Sequence, residues 1–273
     1  MGGRPPHLVS QMSNAGGDAG ASRGVLITGA GSGIGAGLAG ELAAAGYHVI
    51  VSDVRLADAT PVAVHLRDRG GSAEAIALDV TSDDSVAAAM AGLSRPVDVL
   101  VNNAGLQNVA PLESFPIAKW DFLIQVMLVG AARLTRAILP GMRTRGFGRI
   151  INMGSIHSLV ASPYKSAYVA AKHGLVGLTR TIALETADVD ITINTVCPSY
   201  VKTPLVDKQI AAQAVTRGMP ESQVIDEIML KPMPKGVFIG IDELAGITAF
   251  LVSAAARNIT GQLIVVDGGW TAQ

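Results

Sequence analysis

The stretch Val-Leu-Ile-Thr-Gly-Ala-Gly-Ser-Gly-Ile-Gly, residues 25–35, decides the fold of this chain. Its apolar beginning predicts a short buried strand, its glycines predict a turn, and the Ala-rich run that continues to Gly46 predicts a helix. A second apolar strand follows and closes with Asp53. A strand, a glycine turn, a helix and a strand within about thirty residues form the context that a dinucleotide-binding motif requires.

The glycines of this turn have a specific chemical use. A backbone without side chains lets the pyrophosphate of a dinucleotide approach closely, and amide groups at the start of the helix bind it. Asp53 ends the next strand, where a carboxylate holds the ribose diol and repels a 2′-phosphate. We therefore predict NAD as the cofactor, while Arg55, two residues after Asp53, is the feature that favours NADP.

The same alternation continues along the chain. Further helices are predicted at 59–69, 83–93 and 242–252, with long helices around 120–139 and 166–187, and further strands at 75–78, 97–101, 149–153 and 263–266. Repeated strand and helix units with near-continuous apolar strands predict an α/β fold. We expect a single-domain, Rossmann-type, doubly wound parallel sheet of about seven strands over residues 24–273, with helices on both faces. Residues 1–23, rich in Gly, Ser and Ala, are expected to form a mobile extension.

Composition limits the possible functions. The 21 basic and 22 acidic residues give a formal net charge of -1, which offers no electrostatic footprint for nucleic acid or an anionic membrane. Neither a secretory signal after Arg4 nor a run long enough to span a membrane is expected. The single cysteine, Cys197, is interpreted as a core residue and fits a reducing compartment. We expect a cytoplasmic protein without a metal site.

A second informative stretch runs from residue 155 to residue 172. Tyr168 and Lys172 lie four positions apart in an Ala-rich run, so a helix places both on one face. An ammonium beside a phenol favours the phenolate and lowers a tyrosine pKa of ~10, which allows proton exchange near neutral pH. Ser155 follows one predicted strand and Asp79 another, so they are expected at the same sheet edge, where ligands bind.

Together these residues resemble the short-chain dehydrogenase/reductase superfamily. The resemblance rests on Thr-Gly-Ala-Gly-Ser-Gly-Ile-Gly at 28–35, Asp-Val at 79–80, Asn-Asn-Ala-Gly at 102–105, Ser155, and Tyr-Val-Ala-Ala-Lys at 168–172. It implies that Tyr168 is the general acid/base, that Lys172 lowers its pKa and holds the nicotinamide ribose, and that Ser155 orients the substrate carbonyl. The implied cofactor site comprises Thr28, Gly29, Ser32, Gly33, Ile34, Gly35, Asp53, Asp79, Val80, Asn103, Ala104, Gly105, Tyr168, Lys172, Val201 and Thr203.

One position departs from the family pattern. The family carries an Asn in the helix before the serine, in a frame that begins with Trp and helps to anchor a water relay from the lysine. Here the frame starts at Trp120 and places Met127 at that position. A thioether is a weak acceptor and cannot donate, so the resemblance predicts a slower proton relay.

The segments around the predicted site are also similar to bacterial (R)-3-hydroxybutyrate dehydrogenases. In this comparison Gln107, His157, Lys165 and Gln209 correspond to residues that bind the substrate carboxylate, and Tyr200 and Trp270 form the apolar wall. With Ser155 and Tyr168 they make up the implied substrate site. Ser199 and Tyr200 stand where that group has Gly and Trp, and the added hydroxyl favours a different or more polar acid.

The resemblance implies an NAD-dependent interconversion of (R)-3-hydroxybutyrate and acetoacetate by a homotetramer. Residues 204–237 are predicted to form a helical lid over the substrate, broken at Met219-Pro220. Two alternatives stay open: a short-chain dehydrogenase for another small hydroxy acid or ketone, and a weakly active NAD-binding sensor because of Met127.

Overall fold

Seven strands form one parallel sheet in the computed structural model, which describes residues 23–272. They are β1 Gly24–Ile27, β2 His48–Asp53, β3 Ser72–Ala77, β4 Val97–Asn102, β5 Phe147–Met153, β6 Asp190–Pro198 and β7 Leu263–Val266. Their order across the sheet is β3-β2-β1-β4-β5-β6-β7, with β1 in the middle and every pair parallel. The order reverses direction between β1 and β4, which is where a doubly wound sheet opens a crevice for ligands.

Helices connect the strands and cover the sheet. They are α1 Gly33–Ala44, α2 Leu56–Asp68, α3 Asp83–Gly92, α4 Ile117–Ile124, α5 Gly130–Arg145, α6 Ser166–Glu185, α7 Pro204–Arg217, α8 Glu221–Gln223 and α9 Ile241–Val252. A π-helical segment, Gln125–Val129, joins α4 to α5, and a second, Val224–Leu230, follows α8.

Alternate residues of β1 reach opposite faces of the sheet. Val25 and Ile27 belong to an apolar core that includes Leu38 of α1, whereas Leu26 belongs to a separate core that includes Leu134 of α5. Side chains of a strand point alternately up and down, so a strand covered on both faces must be apolar at every position. The predicted fold class, a doubly wound parallel sheet with helices on both faces, is confirmed.

The strand boundaries differ from the prediction at one edge. β3 begins at Ser72, although the apolar pattern placed the strand at 75–78, and it pairs in register with all of β2. The ring of His48 contacts the side chains of Ser72 (2.7 Å) and Glu74 (3.3 Å), so polar cross-strand contacts extend this edge strand beyond its apolar part. β6 was not delimited from the sequence, although about seven strands were expected.

Two further expectations concern the chain ends and membranes. The predicted extension, residues 1–23, lies outside the described residues except for Arg23, whose guanidinium lies 3.7 Å from the ring centroid of Phe147. The helical run Ile117–Arg145 has 29 residues and contains an 18-residue window with a mean hydropathy of 1.6, so by length and composition alone it could span a membrane. A buried core helix passes the same test, so the expectation of no membrane span stays a prediction. Leu134 and Met142 of this run are buried in the core beside the sheet, which accounts for its apolar character.

Residues 204–237 contain α7, α8 and the second π-helical segment. Thr203 caps α7 through its hydroxyl, which accepts a hydrogen bond from the amide of Val206 (3.4 Å), and Gly218 ends it with a left-handed φ of 65°. Apolar side chains of this segment pack with Tyr200 in a third cluster, separate from the two faces of the sheet. The segment therefore lies against the end of β6, and its role as a lid stays a prediction.

Candidate active site

A cavity of about 520 Å³ opens beyond the carboxyl ends of the strands. Residues that follow six of the seven strands line it, among them Gly29 after β1, Asp79 after β3, Asn103 after β4 and Ser155 after β5. These positions are far apart in sequence, and the parallel sheet brings them to one edge. The predicted cofactor residues Asp53, Val80, Ala104, Gly105, Val201 and Thr203 line the same cavity.

The start of α1 forms one end of this cavity. Ser32, Gly33 and Ile34 line it, and the Ser32 side chain makes no hydrogen bond to the helix that it precedes. Gly33 has a φ of 58°, a conformation that disfavours any residue with a side chain. Exposed amides at a helix start attract an anion, so this end of the cavity fits the pyrophosphate of a dinucleotide.

Thr28 and Gly35, both predicted to bind cofactor, do not line the cavity. The Thr28 hydroxyl accepts hydrogen bonds from the amides of Asn103 (3.0 Å) and Ala104 (2.9 Å). A Cβ on Gly35 would lie 2.6 Å from Nδ2 of Asn103 and 2.7 Å from the carbonyl oxygen of Gly29. Both residues therefore hold the glycine turn against the segment after β4, and their influence on a ligand is indirect.

Asp53 faces the glycine turn from the end of β2. Its Oδ2 accepts a hydrogen bond from the amide of Gly31 (3.1 Å), and the residue lines the cavity. Arg55, the residue that favoured a 2′-phosphate, is bound to Asp58 through Nε (2.7 Å) and Nη2 (2.6 Å). Asp53 therefore lines the cavity, whereas the Arg55 guanidinium is paired with the Asp58 carboxylate.

The predicted catalytic residues Ser155, Tyr168 and Lys172 all line the cavity. Ser155 precedes a short 3₁₀ turn after β5, and the other two lie one turn apart on α6. Burial raises the pKa of Tyr168, and a hydrogen bond with Ser155 acts against that rise. The serine therefore favours the ionised tyrosine, as a partner of a general base should.

The influence of Lys172 on the pKa of Tyr168 stays a prediction. The Nζ of Lys172 donates a hydrogen bond to the carbonyl oxygen of Met153 (2.6 Å) and lies 5.4 Å from the centroid of the Tyr168 ring, above its face. Helix spacing places both side chains together, as predicted, and the end of β5 supplies an acceptor for the ammonium. Burial lowers the pKa of Lys172 from 10.5 to about 8.

A polar cluster forms another part of the cavity wall. Lys165 is 4% exposed, and its Nζ lies 3.5 Å from Nε2 of His157 and donates to the hydroxyl of Tyr200 at 3.4 Å. Burial, then repulsion from Arg217, lowers the pKa of Lys165 to about 8. Burial, then repulsion from Lys165, lowers the pKa of His157 to about 3. At neutral pH this cluster presents one buried cation and one neutral imidazole.

This polar cluster lies beside the predicted general base. The rings of His157 and Tyr168 meet edge to face with centroids 6.1 Å apart. Gln107 and Gln209 line the cavity too, so the structure brings together every predicted carboxylate ligand. Trp270 does not line the cavity; it stacks on Tyr200 at 6.1 Å and supports that wall from behind.

Tyr164, next to Lys165, has a left-handed backbone with φ of 69°. It is the one non-glycine residue with a positive φ in the described chain, and such a conformation is unfavourable for a bulky residue. Its carbonyl oxygen accepts a hydrogen bond from the amide of Ala110 (2.9 Å), and the Arg217 guanidinium lies 5.8 Å from its ring centroid. Tyr164 therefore contacts the loop after β4 and the end of α7.

Some lining residues escaped the sequence analysis. Phe122 and Val126, from α4 and the π-helical segment after it, and Met153 and Ile156, around the end of β5, contribute apolar surface. Apolar residues carry no chemical signature in a sequence, so only their position beside the predicted serine could have pointed to the last two. Met127 is buried and does not line this cavity.

Comparison with known proteins identifies the family. The sequence pattern of the short chain dehydrogenase family matches residues 23–214. The chain belongs to the short-chain dehydrogenase family. Two similar proteins are D-beta-hydroxybutyrate dehydrogenases of Rhizobium meliloti (strain 1021) and Cupriavidus necator, each 44% identical over 91% of this chain and 98% and 97% of their own lengths.

A solved structure agrees with this family. The gluconate 5-dehydrogenase from Burkholderia cenocepacia J2315, in complex with NADP and tartrate, has a TM-score of 0.83 and 35% identity over 92% of this chain and 96% of its own. This short-chain dehydrogenase is therefore an oxidoreductase enzyme that uses a nicotinamide cofactor and a small-molecule substrate. The resemblance drawn from the sequence motifs is confirmed.

Proposed function

We propose that this enzyme is an NAD-dependent dehydrogenase that interconverts (R)-3-hydroxybutyrate and acetoacetate. The observation that carries the proposal is the position of Lys165, a buried cation that lines the cavity. Its Nζ contacts His157, and the ring of His157 packs edge to face against the ring of Tyr168. Burying an ammonium is costly unless it has a partner of opposite charge, and no carboxylate among residues 23–272 pairs with it. A substrate carboxylate supplies that charge.

The other donors fit the same group. The neutral imidazole of His157 and the amides of Gln107 and Gln209 line the cavity with Lys165. A carboxylate has about four lone-pair sites, and a cation with several neutral donors satisfies them without adding repulsion. We therefore assign the acid end of the substrate to this cluster.

The reacting oxygen of the substrate belongs between Ser155 and Tyr168. In the oxidation, ionised Tyr168 accepts the hydroxyl proton at Oη, while the Ser155 hydroxyl donates a hydrogen bond to the same substrate oxygen. Hydride transfer is the chemistry that a bound nicotinamide cofactor supplies. Lys172, protonated below a pKa of about 8, holds the cofactor ribose and keeps positive charge near the phenol.

NAD is the proposed form of the cofactor. The glycine turn and the start of α1 fit a pyrophosphate, and the Asp53 carboxylate lies where an adenosine ribose is held in such sheets. A 2′-phosphate there would face this carboxylate, and Arg55 is held by Asp58. The similar gluconate 5-dehydrogenase is in complex with NADP, so a comparison of kcat/KM for NAD and NADP is the test of this choice.

A second candidate substrate is a more polar hydroxy acid. Tyr200 presents a hydroxyl to Lys165 where the hydroxybutyrate group has Trp, and Ser199, which replaces Gly, also lines the cavity. A hydroxyl that can be redirected to a ligand favours an acid with another polar substituent. The solved relative with tartrate in its complex acts by its name on gluconate, a polyhydroxy acid.

One panel of assays separates these proposals. We would follow NADH or NADPH absorbance with the purified enzyme and (R)-3-hydroxybutyrate, its S enantiomer, longer and hydroxylated acids, gluconate, and a neutral secondary alcohol. The expected result is turnover of the R acid with NAD. A preference for a polyhydroxy acid would support the second candidate, and turnover of the neutral alcohol alone would refute both.

A paired variant tests the acid end. Lys165→Met should lower kcat/KM for carboxylates about 10-fold to 100-fold, the value of a hydrogen bond to a charged group, and leave the neutral alcohol nearly unchanged. Lys231→Met, at an exposed lysine of the 204–237 segment, is the matched control. It should change kcat/KM for neither the carboxylates nor the neutral alcohol. Equal losses for the acid and the neutral alcohol in Lys165→Met would contradict the assignment.

Assembly and location stay proposals as well. Ile117 on α4 and Leu184 on α6 are 71% and 80% exposed, and large apolar side chains on such helices favour burial against another subunit. We propose a homotetramer in the cytoplasm. Light scattering of the purified protein tests the assembly, and a monomer at assay concentration would contradict it.

A further inference from the structure

Helix α7 carries three side chains with hydrogen-bond donors, Gln209, Gln213 and Arg217, at a spacing of four residues. Residues four apart lie one above the other on a helix, so the three side chains form one row. Gln209, the first of them, lines the cavity. Arg217, the last, is two turns further on and ends the helix. The row therefore extends from the predicted carboxylate ligands to the end of α7.

The middle of the row holds a donor that the chain does not use. Gln213 is 3% exposed, and its Nε2 is buried without a hydrogen-bond partner among residues 23–272. It lies one turn after Ile210, which packs with Tyr200 in the third apolar cluster. A buried amide without an acceptor destabilises a folded protein, and such groups usually meet a water, an ion or a ligand. An acceptor from outside the chain would satisfy Gln213.

The charge at the end of the row is not paired with an acid of the chain. No carboxylate in the described part of the chain forms an ion pair with Arg217, whose guanidinium lies 5.8 Å from the ring centroid of Tyr164. Burial, then repulsion from Arg217, lowers the pKa of Lys165, the residue after Tyr164. Burial raises the pKa of Tyr200, and Arg217 acts against that rise. Arg217 therefore adds positive charge beside the buried ammonium.

Charged side chains along the cavity wall are separated by sign. The carboxylates that line the cavity are Asp53 and Asp79, after β2 and β3, among the predicted cofactor residues. The lysines that line it are Lys165 and Lys172, on α6 and at its start, and Lys208 on α7. A chain with a formal net charge of -1 thus gathers cations around the part predicted for the substrate. A cleft lined by one sign of charge concentrates ligands of the opposite sign.

We propose that Gln213 and Arg217 are further substrate-binding residues that extend the acid site along α7 and select anionic substrates. Gln213 donates through Nε2 to a carboxylate oxygen, and Arg217 supplies a second positive charge beyond Lys165. Because α7 belongs to the segment predicted to cover the substrate, the carboxylate meets Gln213 when that segment lies over it. A neutral alcohol gains nothing from either residue. For turnover the inference rests on the proposed function, whereas anion binding by α7 does not.

Butyrate is the first probe of the row, because it has no hydroxyl group and cannot react, and butyramide is its neutral counterpart. NMR titration of the purified full chain with saturating nucleotide measures both Kd values. Arg217→Gln should raise the butyrate Kd about threefold to fivefold at low salt, the effect of removing an exposed charge, and leave butyramide unchanged. Arg217→Lys should restore most of the affinity. A natural enzyme that binds both probes equally would overturn the proposal.

Ionic strength shows whether the effect of Arg217 is electrostatic. The difference in butyrate Kd between the natural enzyme and Arg217→Gln should nearly vanish at about 1 M salt, where the screening length is about 3 Å. Arg69→Gln is the matched control, since Arg69 is exposed at the end of α2 and does not line the cavity. It removes the same charge and should change neither Kd. Equal losses in the two variants would assign the effect to net charge and contradict the proposal.

Gln213→Met separates ligand binding from packing. It replaces the amide by an apolar side chain of similar size and removes a buried donor that has no partner. The urea midpoint should stay the same or rise, while the butyrate Kd should rise about tenfold, the usual effect of losing a hydrogen bond to a charged group. An amide that serves only the fold would give a lower midpoint, or no folded protein, with the effect of Arg217 on butyrate absent. That combination would refute the proposal.

Turnover connects the row to the proposed function. With (R)-3-hydroxybutyrate, Arg217→Gln and Gln213→Met should raise KM in proportion to the butyrate Kd and change kcat less than about twofold, because both act on the acid end. Turnover of a neutral secondary alcohol should not change. If no hydroxy acid is turned over, the proposed function fails, and the butyrate titration still decides this inference. Unchanged butyrate binding in both variants would overturn the inference even in an enzyme that turns over hydroxybutyrate.

Discussion

Replacing Lys165 with Met should stabilise the enzyme while weakening its hold on acids. Burial and Arg217 lower the pKa of Lys165 from 10.5 to about 8, so holding it protonated in the folded chain costs ~3 kcal/mol, at about 1.4 kcal/mol for each pH unit. The variant removes that cost but leaves the Tyr200 hydroxyl without its donor, a loss of ~1 kcal/mol. We expect a net gain of ~2 kcal/mol in the free energy of unfolding at pH 7.

The pH dependence identifies the cause. The pKa of Lys165 is lower in the folded than in the unfolded state, so between about pH 8 and 10.5 the unfolded chain binds more protons. Stability of the natural enzyme therefore rises with pH across this window, relative to the variant. The difference between the two proteins should be full below about pH 8 and should close as pH approaches 10.5.

Urea unfolding at fixed protein concentration and several pH values measures this difference. Comparing two proteins cancels the contribution of Lys172, which titrates over the same window. Lys165→Arg keeps the charge and should gain nothing, and Lys231→Met, at an exposed site, should be neutral. The reasoning fails if Lys165→Met is no more stable than the natural enzyme at pH 7, or if its advantage is the same at pH 7 and 10.5.

Three further predictions concern the cofactor side and the proton. Asp53→Ser should raise the ratio of kcat/KM for NADP to that for NAD by about tenfold or more, since a repelling charge is lost; an unchanged ratio would place the selectivity elsewhere. Gly35→Ala should cost about 1–3 kcal/mol of unfolding free energy, because its Cβ would lie 2.6 Å from Asn103 Nδ2, whereas Gly40→Ala, with nothing within 4 Å, should not destabilise. Equal thermal midpoints for these two variants would contradict the packing account. Tyr168→Phe should lower kcat by about 10²-fold to 10⁴-fold with the nucleotide Kd unchanged, as fluorescence titration would show; a weaker nucleotide alone would argue against a role in proton transfer.

The residues that meet at the carboxyl edge of the sheet were predicted well, because parallel strands all end at the same edge. Once the strands are placed, the residues after Ile27, Asn102 and Met153 must meet at one edge. For the same reason the cavity contains nearly every residue predicted for it.

Side-chain direction was harder to predict. Helix spacing predicted that Lys172 lies beside Tyr168. It did not predict that the Lys172 ammonium donates a hydrogen bond to the carbonyl oxygen of Met153, at the end of β5. Thr28 was predicted to bind cofactor, yet backbone amides after β4 use its hydroxyl. A motif shows which residue types occur together. It does not show whether each side chain binds the ligand or another part of the protein.

The backbone of Tyr164 has a consequence for how this enzyme could acquire new substrates. Its carbonyl binds Ala110, its ring lies near Arg217, and its neighbour is Lys165. Tyr164 thus connects three parts of the site: the loop after β4, the end of α7 and the buried cation Lys165. Because its backbone conformation is unfavourable, a change of length or direction in one of these parts should affect the other two. Evolution of specificity should therefore proceed by coordinated exchanges around Tyr164, and libraries that vary these three segments together should yield more altered enzymes than libraries that vary each alone.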